Sequence, residues 1–352
     1  MFVLPNLRAG GAERVFSFIS QNLDTSIFEC ELLIIGRNED VAYDVSKVKC
    51  TYLGKNRVFH AIPALIKYIH TVNADVVLSS VEHLNIVMGL ISPLFPKTKF
   101  LIRVASVISK MRMYTTKNHL QMLLPKLSYR LVNGVICQSQ DMASDFVQLY
   151  PNTKYKIEVI GNPVTLDTNK RAPMTQSRRR EYITVGRLSP EKGHSRLLSV
   201  LGKLKSDFHY TIVGDGPERL AIEQKIKRLD LINKITLIPF TNEVSKYLHK
   251  SNYFLQGSYS EGFPNAILES CSQGIPVVAF NAPGGTREII EPMINGIMVN
   301  DEASFVEFLE NTTLIWDRKL IQDSVLKKFG KHKIIERYEN LILTTSKRLN
   351  LF

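Results

Sequence analysis

The sequence predicts two parallel α/β sheets in tandem, each covered by helices on both faces. Short apolar runs alternate with longer amphipathic segments along nearly the whole chain, a pattern typical of strands buried on both faces. In addition, 352 residues with 44% hydrophobic content exceed what one core of ordinary size holds. We therefore expect doubly wound domains at residues 1–165 and 166–330, and a helical segment at 331–352.

The first domain is predicted from one series of apolar runs. After the strand-like FVLPNL at the start come CELLIIG (30–36), DVVLSS (75–80), KFLIRV (99–104), GVICQS (134–139) and KIEVIG (156–161). Helical patterns at 12–23 and 61–72 separate several of these runs, as crossover connections between parallel strands require.

The second domain is predicted from six further runs: EYITVG (181–186), HYTIVG (209–214), KITLIP (234–239), YFLQGS (253–258), PVVAF (276–280) and GIMVN (296–300). Residues 165–180, between the two series, are polar, basic and without periodicity, which predicts a linker. The last segment, 331–348, has helical spacing of its apolar residues.

The spacing of the cysteines and the hydropathy of the chain limit the cellular compartments in which we expect the protein. The four cysteines lie far apart in the sequence, which suits a reducing cytosol. The N-terminus has no basic leader followed by a long apolar core, and the longest low-polarity run, 86–95, is too short to span a bilayer. We expect a cytoplasmic chain that is soluble or attached to a membrane surface.

The net charge of +12 is unevenly distributed, because residues 83–140 contain no Asp or Glu. Within them, residues 107–131 mix basic and apolar side chains, a composition that suits the headgroup layer of an anionic membrane. The alternative is a solvated helix with one buried face. Nucleic acid is disfavoured as a partner, because no binding motif or aromatic-studded basic groove accompanies the charge.

A glycine pair, Gly10 and Gly11, follows the first strand in NLRAGGAERV and precedes a helix. Glycines there let a ligand approach the backbone, and the amides of the helix N-terminus can bind phosphate or hydroxyl oxygens. The alternative is a tight connection with no ligand. The spacing is not the G-x-G-x-x-G dinucleotide fingerprint.

Two cations, Arg187 and Lys192, lie in VGRLSPEKG after the first strand of the second series. The carboxyl end of such a strand is where an open α/β sheet binds its ligands. Arg can grip two oxygens and Lys adds a point charge, which together suit a diphosphate. The alternative is a pair of solvated surface cations.

Two carboxylates, Glu261 and Glu269, lie in EGFPNAILES after the strand at 253–258. Pro264 suits a first helical turn, which leaves the amides of residues 263–266 available to hydroxyls and Glu269 on the helix. Ionised carboxylates accept hydrogen bonds from sugar or ribose diols. The spacing of the two residues is also met by chance, so it identifies little by itself.

Taken in order, these stretches resemble the retaining, nucleotide-sugar-dependent glycosyltransferases of family 4, whose GT-B fold has two Rossmann-like domains facing a cleft. The match covers nearly the whole chain and is tighter across 181–300 than across 35–130. The matching stretches are LRAGGAERV, NPV (162–164), VGRLSPEKG, IVGDGP, EGFPNAILES, GIPVVAF with NAPGGTREII, and NGIMV. The tail KFGKHKIIERYENLI looks like the family's closing helix, which implies that 331–352 returns to the first domain.

The resemblance implies a donor site in the second domain. Arg187 and Lys192 would bind the diphosphate and stabilise the charge of the leaving group, and Glu261 would contact the donor sugar. These three are the predicted catalytic residues. The resemblance also implies donor contacts from the backbone of Gly262, Phe263, Pro264 and Asn265. It further implies that Glu269 binds the ribose and that Gly11 lies against the diphosphate. Phe240 is placed near the nucleobase by its position alone.

The first domain would bind the acceptor. Gly10, His83 and Arg103 are the acceptor-side candidates, although the chain reads RVAS (103–106) where many relatives carry a His. No side chain is thus marked as the group that assists the acceptor hydroxyl. We expect no metal and no cofactor, since the chain lacks the Asp-x-Asp with which the other large glycosyltransferase fold holds its cation.

The predicted function is hexosyl transfer with retention, from a nucleotide sugar such as a UDP-sugar to a lipid-linked or polysaccharide-precursor acceptor. The predicted location is the cytoplasm, either in solution or at the inner face of the cytoplasmic membrane, where residues 107–131 would make the contact. Two alternatives stay open: an inactive nucleotide-sugar-binding module, and another GT-B enzyme such as an inverting transferase or an epimerase. An inverting transferase or an epimerase would need a general base or a different set of site residues.

Overall fold

The computed structural model describes residues 1–39, 41–112, 119–166 and 179–347. The chain forms two compact units, the first from Met1–Pro163 with His332–Phe352 and the second from Val164–Lys331. Most of the predicted linker, residues 167–178, lies outside the described residues, as do 113–118 of the basic segment and 348–352 at the C-terminus.

The first unit contains a parallel sheet of seven strands in the order β3-β2-β1-β4-β5-β6-β7. The strands are β1 (Phe2–Leu4), β2 (Glu31–Ile34), β3 (Lys49–Tyr52), β4 (Val76–Ser80), β5 (Lys99–Arg103), β6 (Gly134–Cys137) and β7 (Ile157–Val159). Helices cover the sheet on both faces, which is why the inner strands are buried along their whole length and appear as continuous apolar runs.

The helices of the first unit are α1 (Gly11–Ser20), α2 (Val58–Val72), α3 (Glu82–Ile91), α4 (Ile108–Arg112), α5 (His119–Leu131) and α6 (Gln140–Leu149). Strand β3, which the sequence did not predict, pairs with β2 alone and lies at the sheet edge. Its residues are exposed or partly buried, so KCTY carries no apolar run.

The C-terminal helix α14 (Lys331–Lys347) belongs to the first unit from His332 onward, which is the expected return of the chain. Tyr338 is completely buried there. Arg337 Nη2 donates to the Val159 carbonyl at 2.6 Å, and Glu339 Oε1 accepts from the Asp24 amide at 2.7 Å. The helix is therefore packed into the first unit and hydrogen-bonded both to the edge strand β7 and to the loop before β2.

The second unit contains a parallel sheet of six strands in the order β10-β9-β8-β11-β12-β13. They are β8 (Arg180–Val185), β9 (Phe208–Val213), β10 (Ile235–Ile238), β11 (Tyr253–Gln256), β12 (Val277–Phe280) and β13 (Gly296–Val299). The surrounding helices are α7 (His194–Leu201), α8 (Arg219–Arg228), α9 (Val244–Leu248), α10 (Asn265–Ser272), α11 (Thr286–Ile289), α12 (Glu302–Asn311) and α13 (Arg318–Phe329). The two predicted doubly wound sheets are confirmed.

Each sheet has one point where the strand order reverses, between β1 and β4 in the first and between β8 and β11 in the second. The loops that leave neighbouring strands at such a point diverge to opposite faces, which opens a crevice at the carboxyl ends of the strands. The pair Gly10 and Gly11 follows β1, the stretch from Arg187 to Lys192 follows β8, and Glu261 follows β11. The fold thus places the main candidates at these two crevices, one in each unit.

No helix within the described part of the chain combines the length and the apolar character needed to cross a bilayer.

Candidate active site

The loop after β8 presents the two predicted diphosphate-binding cations differently. Residues Pro190–Lys192 form a single 3₁₀ turn, and the following Gly193 has φ 62°, in the left-handed region that favours glycine. Arg187 is exposed to solvent, whereas the Lys192 side chain is 30% exposed. A Cβ at position 193 would collide with the Gly257 carbonyl, so a glycine is required for the loops after β8 and β11 to approach this closely.

Glu261 is the centre of a hydrogen-bonded cluster at this crevice. Lys192 Nζ donates to both of its carboxylate oxygens, at 2.8 Å each. Oε1 also accepts from Gln256 Nε2 at 2.8 Å and from Ser258 Oγ at 2.5 Å, while Gln256 Nε2 lies 2.9 Å from Ser258 Oγ. The Glu261 side chain is 7% exposed, so these partners compensate the cost of burying its charge and hold it in one orientation.

Three loops meet around this carboxylate and are joined by backbone hydrogen bonds. The Tyr259 amide donates to the Glu191 carbonyl at 2.8 Å, and the Glu261 amide donates to the Pro283 carbonyl at 3.0 Å. Gly284 has φ 113°, and a Cβ there would collide with the Glu261 carbonyl. The loop after β12, which contains NAPGGT, therefore packs against the backbone of Glu261 and holds it in place.

Arg196, on α7, fixes the same loop from the side. Its guanidinium lies 4.1 Å from the ring centre of Tyr259 and 3.8 Å from that of Phe280. It also donates hydrogen bonds to the carbonyls of Gly257 and Ser258. A planar cation stacked on two rings and hydrogen-bonded to two carbonyls keeps Ser258 in reach of Glu261.

His194 holds the Arg187 stretch. It is the first residue of α7 and is 3% exposed, with Nε2 3.1 Å from the Arg187 carbonyl. Because a carbonyl only accepts, Nε2 carries the proton, and Nδ1 is a buried nitrogen without a hydrogen-bond partner in the described residues. Burial lowers the pKa of His194, and the hydrogen bond to Arg187 opposes this in part.

The remaining donor candidates lie around the start of α10. The helix begins at Asn265 with Pro264 preceding it, and Glu269 lies one turn further along, partly exposed. The Phe263 ring is buried against Phe329, with ring centres 5.2 Å apart. Phe240 comes two residues after β10 and is 56% exposed, so its ring is accessible to a flat ligand.

In the first unit, Gly10 and Gly11 begin α1 after β1. The Tyr43 hydroxyl accepts from the Gly10 amide at 3.0 Å and donates to the Gly10 carbonyl at 2.9 Å, which fixes the turn. The Glu13 carboxylate folds back against Gly10, where a Cβ would collide with it. Burial raises the pKa of Glu13, and the nearby Arg103 cation opposes the rise.

Arg103 ends β5 and is 1% exposed, so it lies inside the unit. Nη2 donates to Asn162 Oδ1 at 2.6 Å and Nη1 to Ser80 Oγ at 3.4 Å, and the guanidinium lies 5.9 Å from the Phe16 ring centre. Burial lowers the pKa of Arg103, although Tyr338 and Glu13 favour its charged form. In the structure it joins β4, β5, α1 and α14, and its acceptor role stays a prediction.

His83 lies in the first turn of α3 and is exposed at the crevice of the first sheet. The loop before it contains Val81 with φ 80°, a conformation that a β-branched residue adopts only when its surroundings enforce it. The backbone between β4 and His83 is therefore strained beside the switch point.

Sequence reasoning missed Gln256, Ser258, Arg196 and His194. Their sequence signal is weak, because each acts through a contact that only the fold creates. Within the described ranges, no group of three or more His, Cys, Asp or Glu side chains is placed to share a metal ion. The absence of a cofactor stays a prediction.

Comparison with known proteins adds independent information. The family model described as Glycosyltransferase Family 4 matches residues 9–168, and the model described as Glycosyl transferases group 1 matches residues 167–314. Among curated proteins, the N-acetylgalactosamine-N,N'-diacetylbacillosaminyl-diphospho-undecaprenol 4-alpha-N-acetylgalactosaminyltransferase of Campylobacter jejuni is 25% identical over 342 residues, which cover 93% of this chain and 91% of that protein.

Two solved structures show the same fold. Anabaena HepE in complex with UDP-glucose has a TM-score of 0.82 at 18% identity, covering 97% of this chain and 99% of that one. The lipopolysaccharide outer core galactosyltransferase WaaB, in its apo form, has a TM-score of 0.78 at 17% identity, covering 97% of this chain and 98% of that one.

Two doubly wound parallel sheets, with cations and carboxylates gathered where the strand order reverses, are the architecture of a GT-B glycosyltransferase. The chain belongs to glycosyltransferase family 4 and is an enzyme that transfers sugars.

Proposed function

We propose that this enzyme transfers a sugar from a UDP-sugar to a lipid-linked or polysaccharide-precursor acceptor, with retention of anomeric configuration and without a metal ion. The observation that carries the donor assignment is the contact between Lys192 and Glu261 at the crevice of the second sheet. The names of the relatives support the substrates: the Campylobacter protein is named for a diphospho-undecaprenol acceptor, and HepE was solved with UDP-glucose.

Lys192 is suited to contact carboxylate and diphosphate together. An ammonium has three N–H donors, and Glu261 takes two of them in the structure. The third is available to a diphosphate oxygen, and the exposed Arg187 guanidinium supplies a second cation from the same loop. Gly11 stays a predicted diphosphate contact, because its missing side chain would let a ligand reach the backbone.

Glu261 binds the hydroxyls of the donor sugar in this proposal. Three donors converge on Oε1, whereas Oε2 accepts from Lys192 alone among the described residues. Oε2 is thus the oxygen with capacity left for a sugar hydroxyl. Gly262 to Asn265 supply backbone contacts, Glu269 accepts from the ribose hydroxyls, and Phe240 stacks on the base.

Retention follows from a reaction on one face of the sugar. The bond from C1 to the diphosphate oxygen breaks, the acceptor oxygen bonds to C1 from the same side, and the leaving phosphate takes the acceptor's proton. Arg187 and Lys192 stabilise the negative charge that develops on the diphosphate, which is the electrostatic work that a metal ion would otherwise do. Gly10, His83 and Arg103 stay the candidates on the acceptor side.

An inverting transferase or an epimerase is disfavoured by the surroundings of Glu261. A general base must be free to bind the proton that it removes, whereas a carboxylate with both oxygens held by one ammonium suits accepting a hydrogen bond without proton transfer. Glu261 is instead held by an ammonium, an amide and a hydroxyl, which suits a fixed acceptor of hydrogen bonds.

We also propose that the enzyme works on the inner face of the cytoplasmic membrane, which it contacts through residues 107–131. Residues 83–140 carry no acidic side chain, so an anionic leaflet would attract the basic side chains of this part of the chain. A membrane contact also brings the enzyme to a lipid-linked acceptor.

The test is UDP release from a panel of UDP-sugars, with and without a lipid-linked acceptor pool, by the wild type, Lys192→Ala and Glu261→Ala. We expect release by the wild type, unchanged by EDTA, and a loss of about 10²- to 10³-fold in each variant. NMR of the product should show the anomeric configuration of the donor. An inverted product, or release that requires a divalent cation, would contradict the proposal.

A further inference from the structure

Helix α5 has apolar side chains on the face that points away from its own unit. Ser128 and Tyr129 are buried on the inner face. On the outer face, Leu123 is 59% exposed, Leu124 41% and Leu127 52%. Single exposed leucines are ordinary, but three on one face of one helix form an apolar surface that a partner could cover.

The outer face forms one wall of a groove, which we call the α5 groove. The opposite wall is the turn from Leu149 to Thr153 at the end of α6, and the groove has a volume of about 500 Å³. This volume falls within the range of about 300–1,000 Å³ that small-molecule sites occupy, and it is large enough for a hydrocarbon chain. All of its lining lies within the first unit.

The charges at the groove favour an anion. Lys126 and Arg130 line it, and none of the described residues that line it carries a carboxylate. Tyr155, two residues after the turn that forms the opposite wall, is 94% exposed. An apolar floor, two cations and an exposed aromatic ring close by in the chain are the chemistry of a surface that meets both the headgroups and the chains of an anionic lipid.

The position of the groove indicates whether it holds a membrane phospholipid or the lipid-linked acceptor itself. Helix α5 ends three residues before β6 begins, and the Leu149–Thr153 turn comes shortly before β7, so both lie toward the amino ends of the strands. Gly10 and Gly11 follow β1 at the opposite, carboxyl edge, where the acceptor must react. A lipid in the groove is therefore an anchor and not the reacting molecule.

We propose that the α5 groove holds one acyl chain of an anionic membrane phospholipid, with the lipid phosphate bound by Lys126 and Arg130. This proposal rests on the membrane contact proposed above and gives that contact a defined site. The lipid chain replaces water on the exposed leucines, and the two cations select anionic over zwitterionic headgroups.

The test uses the full chain with phosphatidylcholine vesicles that contain phosphatidylglycerol with a diazirine near the end of one acyl chain. After irradiation, peptide mass spectrometry locates the adducts. We expect them to concentrate in the peptides that contain residues 123–130 and 149–153. Adducts spread evenly over the surface, or concentrated elsewhere, would overturn the proposal, and this arm requires no variant.

Two double variants measure the chain and headgroup contributions by vesicle sedimentation. Leu124→Gln with Leu127→Gln should weaken binding about tenfold or more, because two apolar contacts are lost. Lys126→Gln with Arg130→Gln should weaken it roughly fivefold for each cation. Leu220→Gln with Lys227→Gln, exposed on α8 in the second unit, is the matched control and should bind as the wild type does.

UDP binding by calorimetry on the same preparations separates this proposal from the function proposed above. Both groove variants should bind UDP as the wild type does. If the groove variants bind vesicles and UDP as the wild type does, the lipid-binding role of the α5 groove is overturned and the proposed sugar transfer is not affected. Equal binding of the wild type to vesicles with and without phosphatidylglycerol would also overturn it.

Discussion

Lys192 Nζ lies 2.8 Å from both carboxylate oxygens of Glu261, although the two residues are 69 positions apart in the chain. The contact joins the loop after β8 to the loop after β11 at the crevice of the second sheet. It brings a predicted phosphate-binding cation and a predicted sugar-binding carboxylate into one cluster.

Replacing Lys192 with Ala should cost both stability and activity. The buried Glu261 carboxylate would lose its cation, which we expect to lower the free energy of unfolding by about 1–3 kcal/mol. Lys203→Ala is the matched control, since Lys203 pairs with Glu302 at 2.6 Å on the exposed surface of the same unit. Denaturant unfolding should show a change of at most about 1 kcal/mol for the control. An equal effect of the two variants would mean that the buried contact is no stronger than a surface pair.

Gln256→Leu should reduce UDP-sugar turnover about tenfold and leave UDP affinity unchanged. Gln256 has no proposed contact with the nucleotide, and its Nε2 donates to Glu261 Oε1 at 2.8 Å, so the substitution frees the carboxylate to move. Gln224→Leu, exposed on α8, controls for the added apolar side chain. Separate measurement of kcat and of UDP affinity checks the prediction. Loss of UDP affinity would show that Gln256 supports the whole loop and not the carboxylate alone.

Gly284→Ala should lower both thermal stability and donor binding. The residue has φ 113°, and the added methyl group would collide with the Glu261 carbonyl. Gly202→Ala is a suitable comparison, because Gly202 has φ −66° and an added Cβ there has ordinary contacts. Thermal unfolding and UDP-sugar binding should both be disturbed in the first variant and close to wild type in the second. A fully active Gly284→Ala enzyme would contradict the close approach of the two loops.

His194 should make the second unit less stable in mild acid. Its folded-state pKa is lowered by burial, so below the unfolded-state pKa of about 6.5 the unfolded chain binds a proton that the folded chain does not. Stability should therefore be constant above that pH and decrease as the pH falls below it, until the folded-state pKa is reached. The slope is at most about 1.4 kcal/mol per pH unit.

Unfolding of the wild type and of His194→Phe between pH 5 and pH 8 tests this. Loss of the hydrogen bond to the Arg187 carbonyl should lower the stability of the variant by a constant amount above about pH 6.5, and on the acid side the variant should be less sensitive to pH than the wild type. His60→Gln, exposed on α2, should retain the wild-type pH dependence. Identical pH profiles for the wild type and His194→Phe would exclude the proposed role of burial.

The sequence predicted the architecture well because most strands of both sheets are buried on both faces and appear as apolar runs. Strand β3 was missed because it lies at an edge and pairs on one side only, so it needs no such run. Glu261, Lys192 and the glycine pair were predicted as site residues from their positions after strands and from the family resemblance.

The supporting contacts could not be predicted, because they depend on how separate segments meet. Arg103 appears in the sequence as one more cation of a basic stretch, yet it is buried against Asn162, which is 59 positions away. Gln256 ends a strand in an apolar run, and only the loop that follows turns Glu261 back toward its amide. Such contacts are set by tertiary packing and have no local pattern.

The central claim is that Glu261 binds the sugar of a UDP-sugar donor. Calorimetric titration of UDP and of a UDP-sugar into the wild type and Glu261→Gln tests it most directly. We predict that the variant binds UDP as the wild type does and loses the additional affinity that the sugar provides. If the wild type binds no UDP-sugar, or if Glu261→Gln weakens UDP and UDP-sugar equally, the claim is contradicted.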